Sequence, residues 1–206
     1  MEKMPTKGRL EKLKKVLQNR QRDLTIVCEN IHDPHNVSAV LRSCDAVGVY
    51  QVFLLYTNEQ FPILGRKSSA SANKWIDLKR YKNYDKVREA LKRKGMNIYA
   101  TYIDASAKSI YDIDWTLPSA IMVGNEHRGV SRECLNIADD LIYIPMLGMV
   151  ESLNVSVATA VILYEACRQR ILQNNYPANN DQTWLEEKLQ QWIHGKKNII
   201  KKPSLI

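Results

Sequence analysis

Short runs of consecutive apolar residues alternate along this chain with segments whose apolar positions recur at helical spacing. Runs of mostly apolar residues predict strands at 24–28, 51–56, 97–103, 120–123 and 141–144, and 75–78 is a further candidate. The helical segments cover 7–21, 37–47, 84–94, 131–138, 155–173 and 183–193. Strands that lack polar positions and alternate with helices are typical of a parallel sheet that is covered on both faces. We therefore predict an α/β fold with a mostly parallel sheet and helices on both of its faces.

The second predicted helix has suitable residues at both ends. Asn36 can serve as its N-cap, and Gly48 can follow its last turn. Within the helix, Ser38, Arg42 and Asp45 share one face. Arg42 is set among small and apolar residues, which indicates either a guanidinium with a specific function or a buried ion pair with Asp45. The residues leave both interpretations open.

Loops follow several of the predicted strands: polar loops after Cys28, Ile103 and Val123, and a mainly apolar loop that ends in polar residues after Ile144. Ligands of open α/β sheets bind at the carboxyl ends of the strands, so these loops form the candidate site. One strand ends at Gly124 in a short loop that contains Glu126 and leads into a helix. Such a turn can expose backbone N–H groups and an acidic side chain, although ordinary helix capping is the alternative.

A second loop, at 145–154, is apolar and contains proline, glycine and methionine before Ser152 and Asn154 begin a helix of small residues. Met146 and its neighbours would suit an adenine ring or a thioether. Methionine also fills ordinary cores, and that alternative stays open on the residues alone.

The net charge of the chain indicates a class of binding partner. The chain has 206 residues, with 30 Lys and Arg against 22 Asp and Glu, a formal net charge of +8 and a pI of about 9.3. Such a surplus favours an acidic partner, most often a nucleic acid, while solvated helix faces are the alternative. Aromatic residues make up 8% of the chain and are not interleaved with the basic runs, which argues against a base-stacking platform for single strands.

Other features exclude whole classes. No apolar stretch reaches the ~20 residues of a membrane span, and the first residues lack the apolar region of a secretory signal, so we expect a cytoplasmic protein without a membrane. The four cysteines are dispersed and indicate thiols rather than a disulfide framework. His32 and His35 have no further ligands nearby, so no metal site is expected. The eight glycines are never separated by a single residue, which excludes the GxGxxG fingerprint of dinucleotide sites.

Three segments, taken in order, resemble the SPOUT superfamily and, within it, the TrmH-type RNA ribose 2′-O-methyltransferases. They are HNVSAVLR at 35–42, VGNE at 123–126 and IPMLGMVESLNVSVA at 144–158. The resemblance extends from about residue 24 to residue 170. It implies a deep trefoil knot near the C-terminus, a homodimer, and S-adenosyl-L-methionine (AdoMet) held by the knot loops. The knot follows from the resemblance alone, because chain connections seldom thread loops.

The resemblance also implies roles for individual residues. The cofactor-binding positions would be Thr101, Gly124, Ile144, Met146 and Leu153. The catalytic arginine would be Arg42. The remaining positions that shape the active site and hold the RNA would be Asn36, Glu126, Ser152 and Asn154.

The resemblance implies that the basic segments at both ends of the chain bind tRNA. The predicted organisation is an N-terminal arm at 1–22, a catalytic domain at 23–173 and a C-terminal helix with a basic tail at 174–206. The candidate RNA-binding residues are Arg9, Lys12, Arg20, Arg168, Lys196 and Lys197. Short length and helical flanks are similar to family members that act on guanosine 18 of the tRNA D-loop. Another tRNA position or ribosomal RNA is the alternative substrate, and a non-catalytic RNA-binding protein is a more distant one.

Overall fold

The computed structural model describes residues 5–63 and 72–194, and within them the strands form one seven-stranded parallel sheet. The strands are β1 Gln21–Glu29, β2 Val49–Leu55, β3 Asp77–Tyr81, β4 Asn97–Thr101, β5 Lys108–Ser109, β6 Ser119–Val123 and β7 Asp140–Tyr143. Their order across the sheet is β3-β2-β1-β6-β4-β7-β5. The predicted parallel α/β fold is therefore confirmed.

Helices cover both faces of the sheet. They are α1 Lys7–Gln18, α2 Pro34–Ala46, α3 Tyr84–Lys92, α4 Arg132–Ile137, α5 Val155–Leu172 and α6 Gln182–Ile193. Successive strand residues point to opposite faces, so Ile26 packs with the apolar side chains of α2 and α5, whereas Val27 packs with those of α3 and α4. Strands buried on both sides explain the unbroken apolar runs in the sequence.

The start of α2 differs from the prediction. Asp33, not Asn36, is the N-cap: its carboxylate accepts a hydrogen bond of 2.8 Å from the backbone N–H of His35. Pro34 takes the first helical position, where its missing N–H costs nothing. Asn36 therefore lies inside the first turn, and its side-chain amide can reach another element. At the other end Gly48 follows the helix with φ +83°, as predicted.

Several boundaries of helices and strands also differ from the predicted ones. The first helix ends at Gln18 and β1 begins at Gln21, so the predicted arm boundary at residue 22 falls inside a strand. The strand predicted at 75–78 begins at Asp77, which pairs with Gln51 of β2. The two-residue strand β5 was not predicted, because so short a segment has no hydrophobic period.

The terminal helices pack against each other. Leu13 and Leu17 of α1 join Leu185, Leu189 and Trp192 of α6 in one apolar cluster. The two ends of the chain are therefore one structural unit in the described residues, although they were predicted as separate arms. Burial of these faces leaves the charged faces of the helices toward solvent.

Candidate active site

A cavity of about 630 Å³ lies at the carboxyl edge of the sheet, within the range of small-molecule sites. Its wall includes every position that the resemblance assigned to the cofactor: Thr101, Gly124, Ile144, Met146 and Leu153. Glu126, Ser152 and Asn154 also line it. The strand ends of β4, β6 and β7 lie side by side in the sheet, and this brings together loops that are distant in sequence.

Gly124 is required by the close approach of two backbone segments. After β6 the chain forms a small hairpin, in which the backbone groups of Asn125 and Gly129 exchange hydrogen bonds of 2.9 and 2.8 Å. A Cβ built on Gly124 would lie 2.2 Å from the carbonyl carbon of Gly129. A larger residue would therefore force the hairpin away from the cavity wall.

The chemistry of the cavity fits a nucleoside cofactor with a thioether-like chain. Apolar side chains of Ile144, Met146, Leu153 and Ile162 provide contact surface for an adenine ring. The hydroxyl of Thr101 donates to the carbonyl of Met122 at 3.2 Å, so it is already positioned by the sheet.

Glu126 is held at the cavity mouth by three donors from one segment. Its carboxylate accepts from the backbone N–H of His32 at 2.9 Å, from that of Asp33 at 3.1 Å, and from the side-chain amide of Asn36 at 2.8 Å. Burial raises the pKa of Glu126, but these hydrogen bonds outweigh it and leave the pKa below the ordinary value. Glu126 is therefore an ionised acceptor that ties the 32–36 segment to the hairpin after β6.

Asn36 and Asn154 extend this connection to a third segment. The side-chain amide of Asn154 donates to the side-chain oxygen of Asn36 at 3.2 Å. The side-chain oxygen of Asn154 also caps α5, accepting from the backbone N–H of Ser156 at 2.9 Å. The three segments of the resemblance thus meet through the side chains of Glu126, Asn36 and Asn154.

Arg42 is an exposed residue of α2, six residues beyond Asn36. The predicted alternative of an ion pair with Asp45 is wrong, because Asp45 pairs with the guanidinium of Arg20. Across residues 5–63 and 72–194, Arg42 forms no ion pair. Its guanidinium is therefore available to a ligand.

The RNA-binding predictions have different outcomes. Arg20 is wrong as a surface contact: its side chain is 0% exposed, it pairs with Asp45 and its guanidinium lies 5.5 Å from the ring centre of Trp192. Arg9 and Lys12 are exposed on α1, as an RNA contact requires. Arg168 is exposed on α5 and forms two hydrogen bonds of 2.8 Å with Glu165. Lys196 and Lys197 lie outside the described residues.

Sequence reasoning missed the buried polar group that supports the hairpin. Asn30 has φ +46°, and its carbonyl accepts from the side-chain amide of Asn125 at 2.8 Å. Glu29 is 2% exposed and accepts from the backbone N–H of Ser131 at 3.0 Å. These contacts hold both ends of the segment that carries Glu126. The sequence signal that could have identified these residues is the polar pair Glu29 and Asn30, directly after the apolar run at 24–28.

Within the part of the chain that the structure describes, no cluster of three or more His, Cys, Asp or Glu side chains is arranged to hold a metal ion. No helix of those residues is long and apolar enough to cross a bilayer.

A parallel sheet with a nucleoside-sized cavity at its carboxyl edge, and a hydrogen-bonded polar set at the cavity mouth, defines an α/β group-transfer enzyme without a glycine-rich phosphate loop. The model of the SpoU rRNA Methylase family matches residues 23–164. The chain therefore belongs to this family and is a methyltransferase, which confirms the resemblance seen in its three segments.

Individual relatives extend this result. The chain is 43% identical over 188 residues to the tRNA (guanosine(18)-2′-O)-methyltransferase of Thermus thermophilus, covering 91% of this chain and 94% of that protein. It is 38% identical over 156 residues to a 23S rRNA (guanosine-2′-O-)-methyltransferase of Photobacterium profundum, covering 75% of this chain and 63% of that protein.

Solved structures are similar as well. The TrmH/SpoU tRNA modifying enzyme of A. aeolicus superimposes with a TM-score of 0.84 at 36% identity, over 91% of this chain and 95% of that one. The SpoU methyltransferase AviRb of Streptomyces viridochromogenes, solved with AdoMet, superimposes with a TM-score of 0.66 at 26% identity, over 74% of this chain and 62% of that one.

Proposed function

We propose that this chain transfers the methyl group of AdoMet to a ribose 2′-hydroxyl of tRNA, with guanosine 18 of the D-loop as the target. The observation that carries the proposal is the set formed by Glu126, Asn36 and Asn154 at the mouth of the cavity, with the unpaired Arg42 on the same helix as Asn36. Similarity to the Thermus thermophilus enzyme over 94% of its length supports the tRNA substrate and the position.

AdoMet would be held by Thr101, Gly124, Ile144, Met146 and Leu153, and when bound it would supply an electrophilic methyl group. The residues of this chain would orient the ribose and stabilise the negative charge that develops on its oxygen. The residues at the cavity mouth would have to hold the ribose hydroxyl within reach of that methyl group for the transfer to occur. Asn36 and Asn154 are positioned at the cavity mouth by their hydrogen bond to each other, so they are suited to orient the ribose.

Arg42 would act on the oxygen that loses its proton. Arginine stays charged, which makes it a poor proton acceptor. A guanidinium next to the 2′-oxygen stabilises negative charge as it develops and orients the hydroxyl, whose proton would pass to solvent water at the open cavity mouth. We assign this role to Arg42, and we assign the positioning of Asn36 to Glu126.

A homodimer and a C-terminal trefoil knot belong to the same proposal. The outer face of α5 exposes Val157, Tyr164 and Ile171, which recur every seven residues and so lie on one side of the helix. Large exposed apolar surface of this kind marks an interaction site. We propose that a second copy of this chain covers this face of α5. Membership of the SpoU family supports the proposed knot. Because the proposed substrate is tRNA, we also propose a cytoplasmic location.

The test is to incubate the purified protein with labelled AdoMet and an unmodified tRNA transcript, and to map the product by nuclease digestion and mass spectrometry. A single 2′-O-methyl group on guanosine 18 is the expected result. A transcript with 2′-deoxyguanosine at that position is the matched control and should accept no methyl group. Transfer to ribosomal RNA and not to tRNA would replace this substrate with the alternative one.

A further inference from the structure

A group of cations lies beside the hairpin that carries Glu126, on the side toward β3. Arg128 is two residues beyond Glu126, and its side chain is 61% exposed. Arg80 and Lys82 follow at the end of β3, both exposed. We call the set formed by Arg80, Lys82 and Arg128 the rim cluster. It adjoins the cavity, because Glu126 and His127 of the same hairpin line the cavity wall.

One carboxylate lies among these cations. Glu59 Oε1 lies 3.1 Å from a terminal nitrogen of Arg128, and Glu59 Oε2 lies 3.7 Å from Nδ1 of His32. Lys82 donates to the backbone carbonyl of Glu59 at 3.3 Å and leaves the carboxylate to Arg128 and His32. A half-exposed ion pair of this kind is weak, so Arg128 can exchange Glu59 for another anion.

The framework under the rim cluster is rigid. Asn30 holds both partners of the ion pair: its side-chain oxygen accepts from the backbone N–H of Glu59 at 3.3 Å, and its carbonyl accepts from Asn125. Asn125 in turn accepts from the backbone N–H of Arg128 at 3.3 Å. The guanidinium and the carboxylate are thus presented from one buried anchor.

The aromatic ring of Phe61 orients the other two cations. Lys82 Nζ lies 4.6 Å from the centre of the ring, and the guanidinium carbon of Arg80 lies 5.4 Å from it. Phe61 packs against Tyr56 with the two rings tilted by 44° and their centres 5.4 Å apart, and the hydroxyl of Tyr56 donates to the carbonyl of Ile31 at 2.9 Å. Phe61 therefore keeps Arg80 and Lys82 together, and Glu59 connects Lys82 to Arg128.

We propose that the rim cluster binds the phosphodiester backbone of the RNA beside the target nucleotide, and that Glu59 occupies Arg128 until RNA replaces it. The inference rests on the proposed RNA substrate and adds a binding surface to it. Arginine can form paired hydrogen bonds with phosphate oxygens, whereas Glu59 makes a single contact of 3.1 Å with Arg128, so a phosphate group can bind the guanidinium better than Glu59 does. Each phosphate neutralised releases counterions and adds to the salt dependence of binding.

The experiment measures binding of a labelled tRNA transcript by fluorescence anisotropy across a salt series, for the wild type and Arg128→Met. We expect Arg128→Met to weaken binding roughly 5–10-fold at 0.1 M salt, and to lower the slope of log K against log salt by about one. Glu59→Gln should strengthen binding a few-fold, and this gain should shrink in the double variant. Lys108→Met and Asp140→Asn are matched controls, since that exposed pair at 2.8 Å lies at the opposite edge of the sheet.

Wild-type affinity and salt slope in Arg128→Met would overturn the inference, while methyl transfer to tRNA by the wild type would leave the proposed function standing. Weaker binding of AdoMet with unchanged binding of RNA would also overturn it, because Arg128 would then serve the cofactor. If the wild type binds the transcript through Arg128 but transfers no methyl group, the surface stands and the proposed function fails. If the wild type does not bind RNA, both the rim-cluster inference and the proposed function are wrong.

Discussion

The side-chain amide of Asn36 donates a hydrogen bond of 2.8 Å to Oε1 of Glu126, ninety residues further along the chain. Asn36 lies in the first turn of α2, and Glu126 lies in the hairpin after β6. Strands β1 and β6 are neighbours in the sheet, so the loops that leave their carboxyl ends meet. This bond is the point at which the fold converts two separate sequence segments into one site.

Replacing Glu126 with Gln should remove a pH-dependent part of the stability. The pKa of Glu126 lies below its ordinary value of about 4.5 in the folded state, so its contribution is present above pH 4.5 and is lost as pH falls through the lowered value. We expect the melting temperature of Glu126→Gln to be about 3–6 °C below that of the wild type at pH 7. The gap should narrow as pH falls below 4.5 and through the lowered pKa of Glu126, as scanning calorimetry at pH 7 and in acid would measure. The other carboxylates cancel in the comparison, and a gap that is equally wide at both pH values would contradict this assignment.

Gly124→Ala should weaken AdoMet binding more than tenfold. The new Cβ would meet the backbone of Gly129 at 2.2 Å, and the hairpin would have to move from the cavity. Gly148→Ala is the matched control, because it lies in the neighbouring 144–154 loop and its Cβ would meet nothing within 4 Å. Isothermal titration calorimetry measures both. Equal losses in the two variants would show that the tight approach at Gly124 does not matter for the cofactor.

Arg42→Lys separates two roles of the guanidinium. If Arg42 stabilises the developing alkoxide with a planar, two-pronged group, lysine keeps the charge but loses the geometry. We expect kcat to fall roughly 100-fold in Arg42→Lys and further in Arg42→Met, about what one preorganised donor contributes. Single-turnover methylation at saturating tRNA gives this rate. Nearly full activity in the lysine variant would refute the geometric role, and unchanged AdoMet affinity would show that the cavity is intact.

Arg20 and Arg22 provide a direct test of burial. Arg20 is fully buried against Asp45 and donates to the carbonyl of Val49 at 3.1 Å, whereas Arg22 is 47% exposed and pairs with Asp181 at 3.1 Å. Arg20→Met removes the fully buried hydrogen bond to Val49 and leaves the 34% exposed Asp45 without its partner, so it should cost roughly 2–3 kcal/mol of unfolding free energy. Arg22→Met should cost less than about 1 kcal/mol. Urea denaturation distinguishes the two, and similar values would contradict the buried role of Arg20.

Tyr164→Glu should dissociate the proposed homodimer. It places a charge in the middle of the apolar face of α5, where Tyr164 is 57% exposed. Tyr111→Glu is the control, since Tyr111 is 58% exposed and lies outside α5. Sedimentation velocity should show a dimer for the wild type and the control and a monomer for Tyr164→Glu. A monomeric wild type would leave this face without the proposed partner.

Much of the fold follows from the order of residues alone. The mainly apolar runs at 24–28 and 120–123 lie in buried strands, because a strand covered on both faces has its side chains buried on both sides. Gly48 ends α2 with a positive φ, and Ser131 caps α4, because these effects act within a few residues. The residues assigned to the cofactor by resemblance lie together in one cavity, because Thr101, Gly124 and Ile144 lie at or next to the carboxyl ends of the neighbouring strands β4, β6 and β7, and Met146 and Leu153 lie in the loop that follows β7.

Partner choice was decided by the tertiary structure. Asp45 shares a helix face with Arg42 in the sequence but pairs with Arg20, and Asn36 looks like a helix cap but bonds to Glu126. Periodicity reports whether a position is apolar, and capping rules report a helix end. Neither rule predicts which distant segment will lie within 3 Å of a given side chain. That depends on the strand order β3-β2-β1-β6-β4-β7-β5, which places β6 next to β1 across ninety residues and so builds the site.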